Sequence, residues 1–359
     1  MTLAGFLIAP VVYLLVFCLH LIVPAREVDG YVISPATGRP YRYRLNGLIV
    51  YWITVALWAA CCASGLLAWD ALWTFRWESL AGACVTGLVF TSWIVLTAPA
   101  TGKGLLADLF LGRLENPQWL NGRVDAKMYL YLVGATMLGL NIYSFALHHI
   151  IASPDDVSNG VLLYAALFTF FLSEYLFFER VHLYTYDFFA ERVGFKLGWG
   201  CLLFYPYFYS VGLWSVADQP NPHASSALLV LSVILFFSGW CFARGANMQK
   251  YVFKRDPSAI FLGVIKPVVL RDGDKQLLAS GFWGIARHVN YLGELLMATG
   301  LTLSLGYPEQ FMPWLYPLYY VVLLVPRQID DDRRCAQKYG ALWDAYMKRV
   351  PYRIIPGVY

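Results

Sequence analysis

Basic and amide side chains follow one long apolar stretch at regular intervals. Arg244, Asn247 and Lys250 or Tyr251 recur three or four residues apart, so they share one face if the stretch is helical. A guanidinium, an amide and an ammonium in such a row suit a phosphate group or an adenine nucleotide. The alternative is a basic anchor that binds lipid headgroups at a membrane surface. Spacing alone leaves both interpretations open.

A second cluster combines an aromatic ring, cationic side chains and a carboxylate. Trp283 offers a stacking face, and the polar residues Arg287, His288 and Asn290 stand at the entrance of a later apolar run. Glu294 lies about one turn inside that run. An ionisable residue at membrane depth is costly unless it is paired or functional. Glu294 could therefore take part in chemistry, or it could cap a helix N-terminus, where the helix dipole favours a carboxylate.

A third cluster is dense in both signs of charge. Arg327, Asp331 and Arg334 fall at positions i, i+4 and i+7, so a helix would place them on one face. Two arginines held by a carboxylate can grip a phosphate, and the carboxylate alone could hold an amide or a ribose. The alternative is a solvated helix crossed by ion pairs.

Other carboxylates and cysteines complete the reactive inventory. Glu174 lies in an apolar run, and Glu179 and Asp187 follow it. The seven cysteines include no C-x-x-C pair, so neither a zinc site nor a redox dithiol is predicted. No dinucleotide-binding G-x-G-x-x-G, phosphate loop, zinc-protease or serine-hydrolase motif occurs, and we predict no metal site.

The composition requires a membrane to position these residues. Of the 359 residues, 59% are hydrophobic and only 14% are charged, whereas a soluble domain carries about 25% charged residues. A soluble enzyme, a disordered chain and a fibrous repeat are therefore excluded. Nucleic acid is not expected as a partner, because no solvated basic domain is present to bind it. Nothing indicates a required protein partner.

Nine apolar runs approach the length of about 20 residues that a spanning helix needs. The last two are short and favour a helical hairpin turned at Tyr307–Gln310, or helices partly buried by their neighbours. A tenth, half-inserted segment near Ile260–Val269 contains prolines and a lysine that argue against a full span. We predict an all-α, polytopic bundle of about nine to ten spans from the runs Leu3–Val23, Leu48–Trp69, Leu80–Ala98, Met128–Ile151, Gly160–Phe178, Leu197–Val216, Ala227–Ala243, Tyr291–Gly306 and Phe311–Pro326.

Loop charge predicts the orientation. Of the 27 Lys and Arg residues, 25 lie in alternate loops or in the last segment, and positive loops stay in the cytoplasm. The N-terminus is therefore expected outside and the C-terminus inside, in a bacterial inner membrane or an endoplasmic reticulum membrane. We treat residues 1–359 as one membrane domain, with N-terminal helices (1–110), substrate-side helices (111–243) and a cofactor half (244–359).

Three C-terminal segments carry a resemblance to a known family. They read G-F-W-G-I-A-R-H-V-N-Y-L-G-E (281–294), R-Q-I-D-D-D-R-R-C-A-Q-K-Y-G-A-L-W-D-A-Y (327–346) and V-P-Y-R-I-I-P-G-V-Y (350–359). They resemble the signature of the sterol reductases, which include delta-14 sterol reductase, 7-dehydrocholesterol reductase and the membrane domain of the lamin B receptor. The segment A-R-G-A-N-M-Q-K-Y-V-F-K-R-D-P (243–257) and weaker matches from Gly112 onwards extend the resemblance.

The resemblance implies a multi-span helical fold with NADPH in a cytoplasm-facing C-terminal pocket. NADPH carries a 2′-phosphate and a pyrophosphate, which need several basic groups. The residues that the resemblance assigns to the cofactor are Arg244, Asn247, Lys250, Trp283, Arg287, His288, Asn290, Arg327, Asp331, Arg334, Cys335, Lys338, Tyr339 and Tyr346.

The family's reaction gives the carboxylates a role. An acid protonates the alkene, and hydride then reaches the resulting carbocation, so the acid must stay protonated in an apolar setting. Glu294, Glu179 and Asp187 are the candidates for this acid, with Tyr291 as a nearby relay. A second, lipid-accessible cavity would admit a sterol or a related isoprenoid from among the membrane lipids.

Departures from the family pattern fall mostly in the substrate-side helices. Tyr131 and Val133 stand where the family has Glu and Arg, and Cys201 and Phe204 stand where it has Asp and Trp. The double bond is therefore left open among delta-14, delta-7 and delta-24 sterols and other isoprenoids. Two alternatives also remain. One is an enzyme like the isoprenylcysteine carboxyl methyltransferases, which carry a similar Arg-His motif, and the other is a non-catalytic sterol-binding membrane protein.

Overall fold

The computed structural model describes residues 2–35 and 37–359, and 64% of the structure is helix. Within these residues, five helices are long and apolar enough to cross a membrane, which confirms a helical membrane protein. They are α1 (Leu3–Ile22), α4 (Arg76–Leu96), α6 (Ala126–Ala152), α7 (Asn159–Phe177) and α12 (Ser226–Arg255), separated by α2 (Gly47–Ala63), α3 (Ala71–Thr74), α5 (Leu105–Leu111), α8 (Glu179–His182), α9 (Tyr186–Phe189), α10 (Tyr205–Phe208) and α11 (Val211–Val216).

Beyond α12 the chain contains both strands and helices. A strand pair is followed by a 3₁₀ turn and then by two long helices and a short one. These elements are β5 (Val269–Asp272), β6 (Lys275–Leu278), the turn Gly281–Gly284, α13 (Val289–Ser304), α14 (Phe311–Tyr339) and α15 (Ala341–Arg349). The hairpin turn predicted at Tyr307–Gln310 is confirmed, because it separates α13 from α14. The segment near Ile260–Val269 holds a turn with the bridge Phe261↔Ile265 and forms no helix.

Three small antiparallel strand pairs are the only sheets in the part of the chain that the structure describes. The largest pairs β1 (Arg26–Ile33) with β2 (Pro40–Leu45), and its register runs from Arg26↔Leu45 to Asp29↔Arg42. The shortest pairs β3 (Gln118–Trp119) with β4 (Val124–Asp125), and the third is the β5–β6 hairpin. The pairs lie in segments between the long helices.

The chain forms two compact units, Met1–His223 and Ala224–Tyr359, here called unit 1 and unit 2. The three-part division made from sequence stays a prediction. In unit 1, α6 is the centre, since most of its residues are buried. Asp125 begins this helix by accepting hydrogen bonds from the N–H groups of Lys127 and Met128 at 3.0 and 3.1 Å.

The sixth predicted run, Leu197–Val216, is not one helix. It contains a π-helical turn at Gly200–Phe204, then α10 and α11. Pro206 lacks the N–H that a regular helix would use there, so backbone carbonyls are freed. Side chains of other helices bind them. The hydroxyl of Tyr13 donates to the carbonyl of Leu202, and Asn141 Nδ2 donates to that of Pro206 at 2.9 Å.

In unit 2, α12 and α13 pack at glycines. A Cβ added at Gly293 would overlap the backbone of Gly239 and Ala243, so the two helices can approach this closely only without a side chain there. The helix α12 has 30 residues and, at 1.5 Å per residue, is about 45 Å long, so it runs past the predicted end at Ala243. The first basic cluster therefore lies on a continuous helix, as its spacing predicted.

Candidate functional site

The end of α12 carries the first predicted cluster. Arg244 is buried, while Asn247 and Lys250 are half-buried along the same helix. The ammonium of Lys250 lies 5.5 Å from the ring centre of Trp283, within range of a cation–π contact. Trp283 is held in place because its indole N–H donates to the carbonyl of Ala246 at 2.9 Å. The structure thus brings the first and second clusters together.

Trp283 also connects to α15. The hydroxyl of Tyr346 donates to the carbonyl of Trp283 at 2.8 Å, and Tyr346 is buried. Burial raises the pKa of Tyr346 well above its usual value, so the phenol stays protonated and remains a donor. Gln249, which sequence reasoning missed, fixes the neighbouring turn, because its amide accepts from the N–H of Phe282 at 3.0 Å and donates to the carbonyl of Ser280 at 3.1 Å.

Arg287 is buried against the segment 350–359. Its Nη1 donates to the carbonyls of Val350 and Pro351 at 2.9 and 2.8 Å. Its Nη2 lies 3.4 Å from a carboxylate oxygen of Asp332. The backbone N–H of Arg287 donates to the carbonyl of Tyr352 at 3.0 Å. The predicted cofactor residue Arg287 therefore holds protein groups through both of its terminal nitrogens.

His288 is bound to the acidic run on α14. Its Nε2 lies 3.2 Å from Asp332 Oδ1, and its Nδ1 lies 3.9 Å from Asp331 Oδ2. The imidazole stacks on the ring of Tyr291, with ring centres 5.2 Å apart. Burial acts to raise the pKa of Asp332, but the hydrogen bonds and charges of His288 and Arg287 outweigh it, so this pKa lies below its usual value. Asp332 is thus an anion in the site.

The third cluster lies on α14, which continues as one helix beyond its predicted apolar part. Arg334 pairs with Asp330 at 3.2 Å, and both side chains are about half-exposed. Arg327, Asp331 and Cys335 are half-buried on the same helix. Burial raises the pKa of the Cys335 thiol to about 12, so it is protonated and unreactive at neutral pH. Lys338 is exposed, and its ammonium lies 5.2 Å from the ring centre of buried Tyr339.

The predicted acids are divided between the units. Glu294 lies half-buried on α13 in unit 2, whereas Glu179 and Asp187 lie in unit 1. Glu179 is only 7% exposed, and its Oε2 accepts a hydrogen bond from the N–H of Gly47, the first residue of α2, at 3.1 Å. Burial raises the pKa of Glu179 to about 8, although the hydrogen bond from Gly47 opposes the shift. Glu179 is therefore protonated at neutral pH.

Asp187 lies in α9, whose backbone accepts hydrogen bonds from the buried side chain of Lys127. The ammonium of Lys127 is fully buried and donates to the backbone carbonyls of Asp187 and Phe188 at 2.7 and 3.2 Å. The segment Asp125–Lys127, which lies among the weaker matches that begin at Gly112, thus has two structural tasks here. Asp125 starts α6, and Lys127 fixes the α9 turn next to the candidate acid Asp187.

A comparison of the sequence with family models shows to which protein family the chain belongs. Residues 2–359 match the model of the Ergosterol biosynthesis ERG4/ERG24 family. The chain belongs to this family. The match spans both units, and it confirms the resemblance that the C-terminal segments carried.

Named relatives within the ERG4/ERG24 family are similar over most of this chain. A Delta(14)-sterol reductase of Arabidopsis thaliana is 31% identical over 94% of this chain and 91% of its own length. The Delta(14)-sterol reductase TM7SF2 of Mus musculus is 32% identical over 94% of this chain and 82% of its own length. A Delta(14)-sterol reductase of Methylotuvimicrobium alcaliphilum is 28% identical over 88% of this chain and 75% of its own length.

The ERG4/ERG24 resemblance implies NADPH, and the donor set of unit 2 fits such an anion. Unit 2 holds 15 of the Lys and Arg residues against 9 acidic residues, a formal excess of six positive charges. The buried polar atoms of unit 2 that have no hydrogen-bond partner among the described residues include Asn290 Oδ1 and Arg287 Nε. One accepts and the other donates, as a ligand bearing both hydroxyl and phosphate groups would require.

Proposed function

We propose that this protein is a membrane-embedded reductase that adds two hydrogens across a carbon–carbon double bond of a sterol, with NADPH as the second substrate. The observation that carries this proposal is membership of the ERG4/ERG24 family over residues 2–359. Relatives that are named Delta(14)-sterol reductase support it at 31% and 32% identity. The delta-14, delta-7 and delta-24 positions are the candidate bonds.

The cofactor residues proposed from sequence all belong to unit 2. When bound, NADPH supplies the hydride. Lys250 and the Trp283 ring would hold an aromatic or phosphate portion, since the cation and the ring already lie together. Arg327, Asp331 and Arg334 on α14 would hold phosphate and ribose oxygens. The other proposed contacts are Arg244, Asn247, Arg287, His288, Asn290, Cys335, Lys338, Tyr339 and Tyr346.

The second hydrogen comes from an acid of the protein. Glu179 has the property that the reaction needs, because it holds a proton at neutral pH in a buried setting. Its Oε2 accepts a hydrogen bond from Gly47 N–H, which fixes the carboxyl group at the start of α2. Glu294, Asp187 and a Tyr291 relay are the competing candidates. The loop charges predict that the site in the C-terminal half faces the cytoplasm, where NADPH is available.

The test is turnover by purified protein in nanodiscs with 4-deuterated NADPH and separate delta-14, delta-7 and delta-24 sterols. A product that gains one deuterium and one solvent proton supports the proposal and identifies the bond. Incubation with S-adenosylmethionine and a prenylated cysteine tests the methyltransferase alternative in parallel. Methyl transfer there, without reduction of any sterol, would overturn the reductase assignment.

The acid is identified with isosteric variants. We expect one of Glu179→Gln, Glu294→Gln and Asp187→Asn to slow reduction by roughly 100-fold or more, because general acid catalysis contributes about that much. NADPH affinity should stay within about twofold of wild type in that variant, since the proton donor does not hold the cofactor. Full activity in all three variants would exclude these carboxyls and favour a tyrosine donor.

A further inference from the structure

The segment 350–359, which carries part of the family resemblance, lies along the motif of the second cluster. It contacts this motif through the backbone. Arg287 and His288 donate their N–H groups to the carbonyls of Tyr352 and Arg353 at 3.0 and 2.7 Å. The segment also folds on itself, because the backbone oxygen of Tyr359 accepts from the N–H groups of Arg353, Ile354 and Ile355. Tyr359 is thereby fixed beside Arg353.

The hydroxyl of Tyr359 is a meeting point for two side chains. It accepts hydrogen bonds from Gln328 Nε2 and from Arg353 Nη1, each at 3.0 Å. Gln328 is fully buried on α14. The guanidinium of Arg353 also lies 5.4 Å from the Tyr359 ring centre. Tyr359 therefore sets where the Arg353 guanidinium stands relative to α14.

Arg353 in turn faces Asp332. Its Nε lies 3.6 Å from Asp332 Oδ2, the same oxygen that lies 3.4 Å from Arg287 Nη2. The other oxygen, Oδ1, is occupied by His288. Both carboxylate oxygens are thus engaged, and the plane of the carboxylate is fixed by the three side chains of Arg287, His288 and Arg353. A carboxylate held in this way fixes the orientation of the imidazole that it binds.

We propose that Tyr359 is a positioning residue for the candidate NADPH site, acting through Arg353 and Asp332 on His288 and Arg287. The inference rests on the proposed function, because His288 and Arg287 are cofactor residues only if NADPH binds in unit 2. Tyr359 itself needs no contact with the ligand. Its loss would let Arg353 turn away and would leave Asp332 held by Arg287 and His288 alone, so that the carboxylate is less firmly oriented.

The test compares two tyrosines of the same segment. Tyr359→Phe removes the hydroxyl that receives Gln328 and Arg353, whereas Tyr352→Phe removes a partly exposed hydroxyl as a matched control. We expect Tyr359→Phe to raise the Kd for NADPH about threefold to tenfold, the range typical of contacts within one coupled network. Tyr352→Phe should leave the Kd within about 1.5-fold, since a surface change of this kind is close to neutral. Binding is measured by NADPH fluorescence in nanodiscs, with thermal unfolding as the check on folding.

A double-mutant cycle separates positioning from general stability. In an Asp332→Asn background the connection from Tyr359 and Arg353 to His288 and Arg287 is already broken. Adding Tyr359→Phe should then change the Kd for NADPH by less than about twofold. Hydrogen exchange at the Arg287 and His288 amides should accelerate in Tyr359→Phe and not in Tyr352→Phe. Wild-type protein that binds no NADPH would overturn the proposed function and this inference with it. Normal wild-type binding with an unchanged Kd in Tyr359→Phe, or full additivity with Asp332→Asn, would overturn the inference alone.

Discussion

The two units bury polar groups by different means. Between helices of unit 1, buried contacts include neutral hydroxyl pairs such as Tyr51–Tyr143 and Ser79–Tyr207, each at 2.6 Å, while its buried ion pair Asp108–Arg113 lies at the short helix α5. Unit 2 instead gathers the guanidinium groups of Arg287 and Arg353 around the carboxylate of Asp332. Formal charge follows the same division, with 12 basic and 14 acidic residues in unit 1 and 15 basic and 9 acidic in unit 2. The first arrangement suits an apolar ligand and the second an anion.

Most departures from the pattern that the sterol reductase resemblance implies fall on the same division. Tyr131, Val133 and Cys201, where the resemblance implies charged residues, lie in unit 1, while the long matches lie in unit 2. A neutral interior needs fewer fixed partners than an ion network, because an unpaired buried charge costs far more than an unpaired hydroxyl. Unit 1 can therefore change its polar residues more freely than unit 2.

Removal of the central cation should break unit 2 most severely. Arg287→Met leaves the carbonyls of Val350 and Pro351 and the carboxylate of Asp332 without their shared donor. Breaking a buried ion pair in this way costs about 3–5 kcal/mol of unfolding free energy. Denaturant unfolding in detergent measures it, with exposed Arg271→Met as the control, which should lie within about 0.5 kcal/mol of wild type. A loss below about 1 kcal/mol for Arg287→Met would show that unit 2 does not depend on this ion network.

The stability of unit 1 should depend on pH because Glu179 is buried. The pKa of Glu179 in the folded protein is about 8, above its ordinary 4.5, so the folded state keeps a proton that the unfolded state releases. Stability should therefore fall as pH rises from about 4.5 to about 8, by up to roughly 1.4 kcal/mol per pH unit from this group. Glu179→Gln cannot titrate, so the difference between wild type and variant isolates this slope.

Asp125 is a second buried carboxyl group of unit 1, and its titration has to be separated from that of Glu179. Burial raises the pKa of Asp125 to about 6, but this group is present in both proteins and cancels in their difference. Asp155→Asn, at an exposed loop position of unit 1, is the matched control for the loss of one carboxyl group. A flat difference between wild type and Glu179→Gln would mean that Glu179 is ionised in the folded protein. It would then be a poor candidate for the proton donor.

Hydrophobic runs predicted the long helices well because spanning length and apolar character are local properties. The runs for α1, α4, α6 and α7 end within a few residues of the helices. The end of α12 was missed by twelve residues, since charge after Ala243 ends an apolar run but not a helix. The sixth run was predicted as one helix although it contains Pro206, so the break in it was missed. The broken helix is stabilised by residues far away in the sequence, because Tyr13 and Asn141 donate hydrogen bonds to its free carbonyls.

Among the site residues, too, local placement was predictable from sequence and contacts between distant segments were not. Helical spacing placed Arg244, Asn247 and Lys250 along one helix, because that spacing needs only the local backbone. Spacing could not show which of three successive aspartates binds His288. Asp331 was predicted as a cofactor contact and Asp332 was given no role, yet Asp332 makes the closer contact with His288, at 3.2 Å against 3.9 Å. That outcome depends on how α14 is rotated relative to a residue 44 positions earlier.

The smallest stability effect is expected at the exposed pair on α14, where a functional effect should nevertheless appear. Arg334→Ala removes a half-exposed i,i+4 pair with Asp330 and should cost about 0.5 kcal/mol or less. Its NADPH affinity should fall about tenfold, because a charge-assisted contact to a phosphate is among the stronger hydrogen bonds. The neighbouring Arg333→Ala removes the same charge from an exposed position and controls for general attraction of the anion. Equal loss of affinity in both variants would show that unit 2 attracts NADPH by its net charge and that Arg334 makes no specific contact.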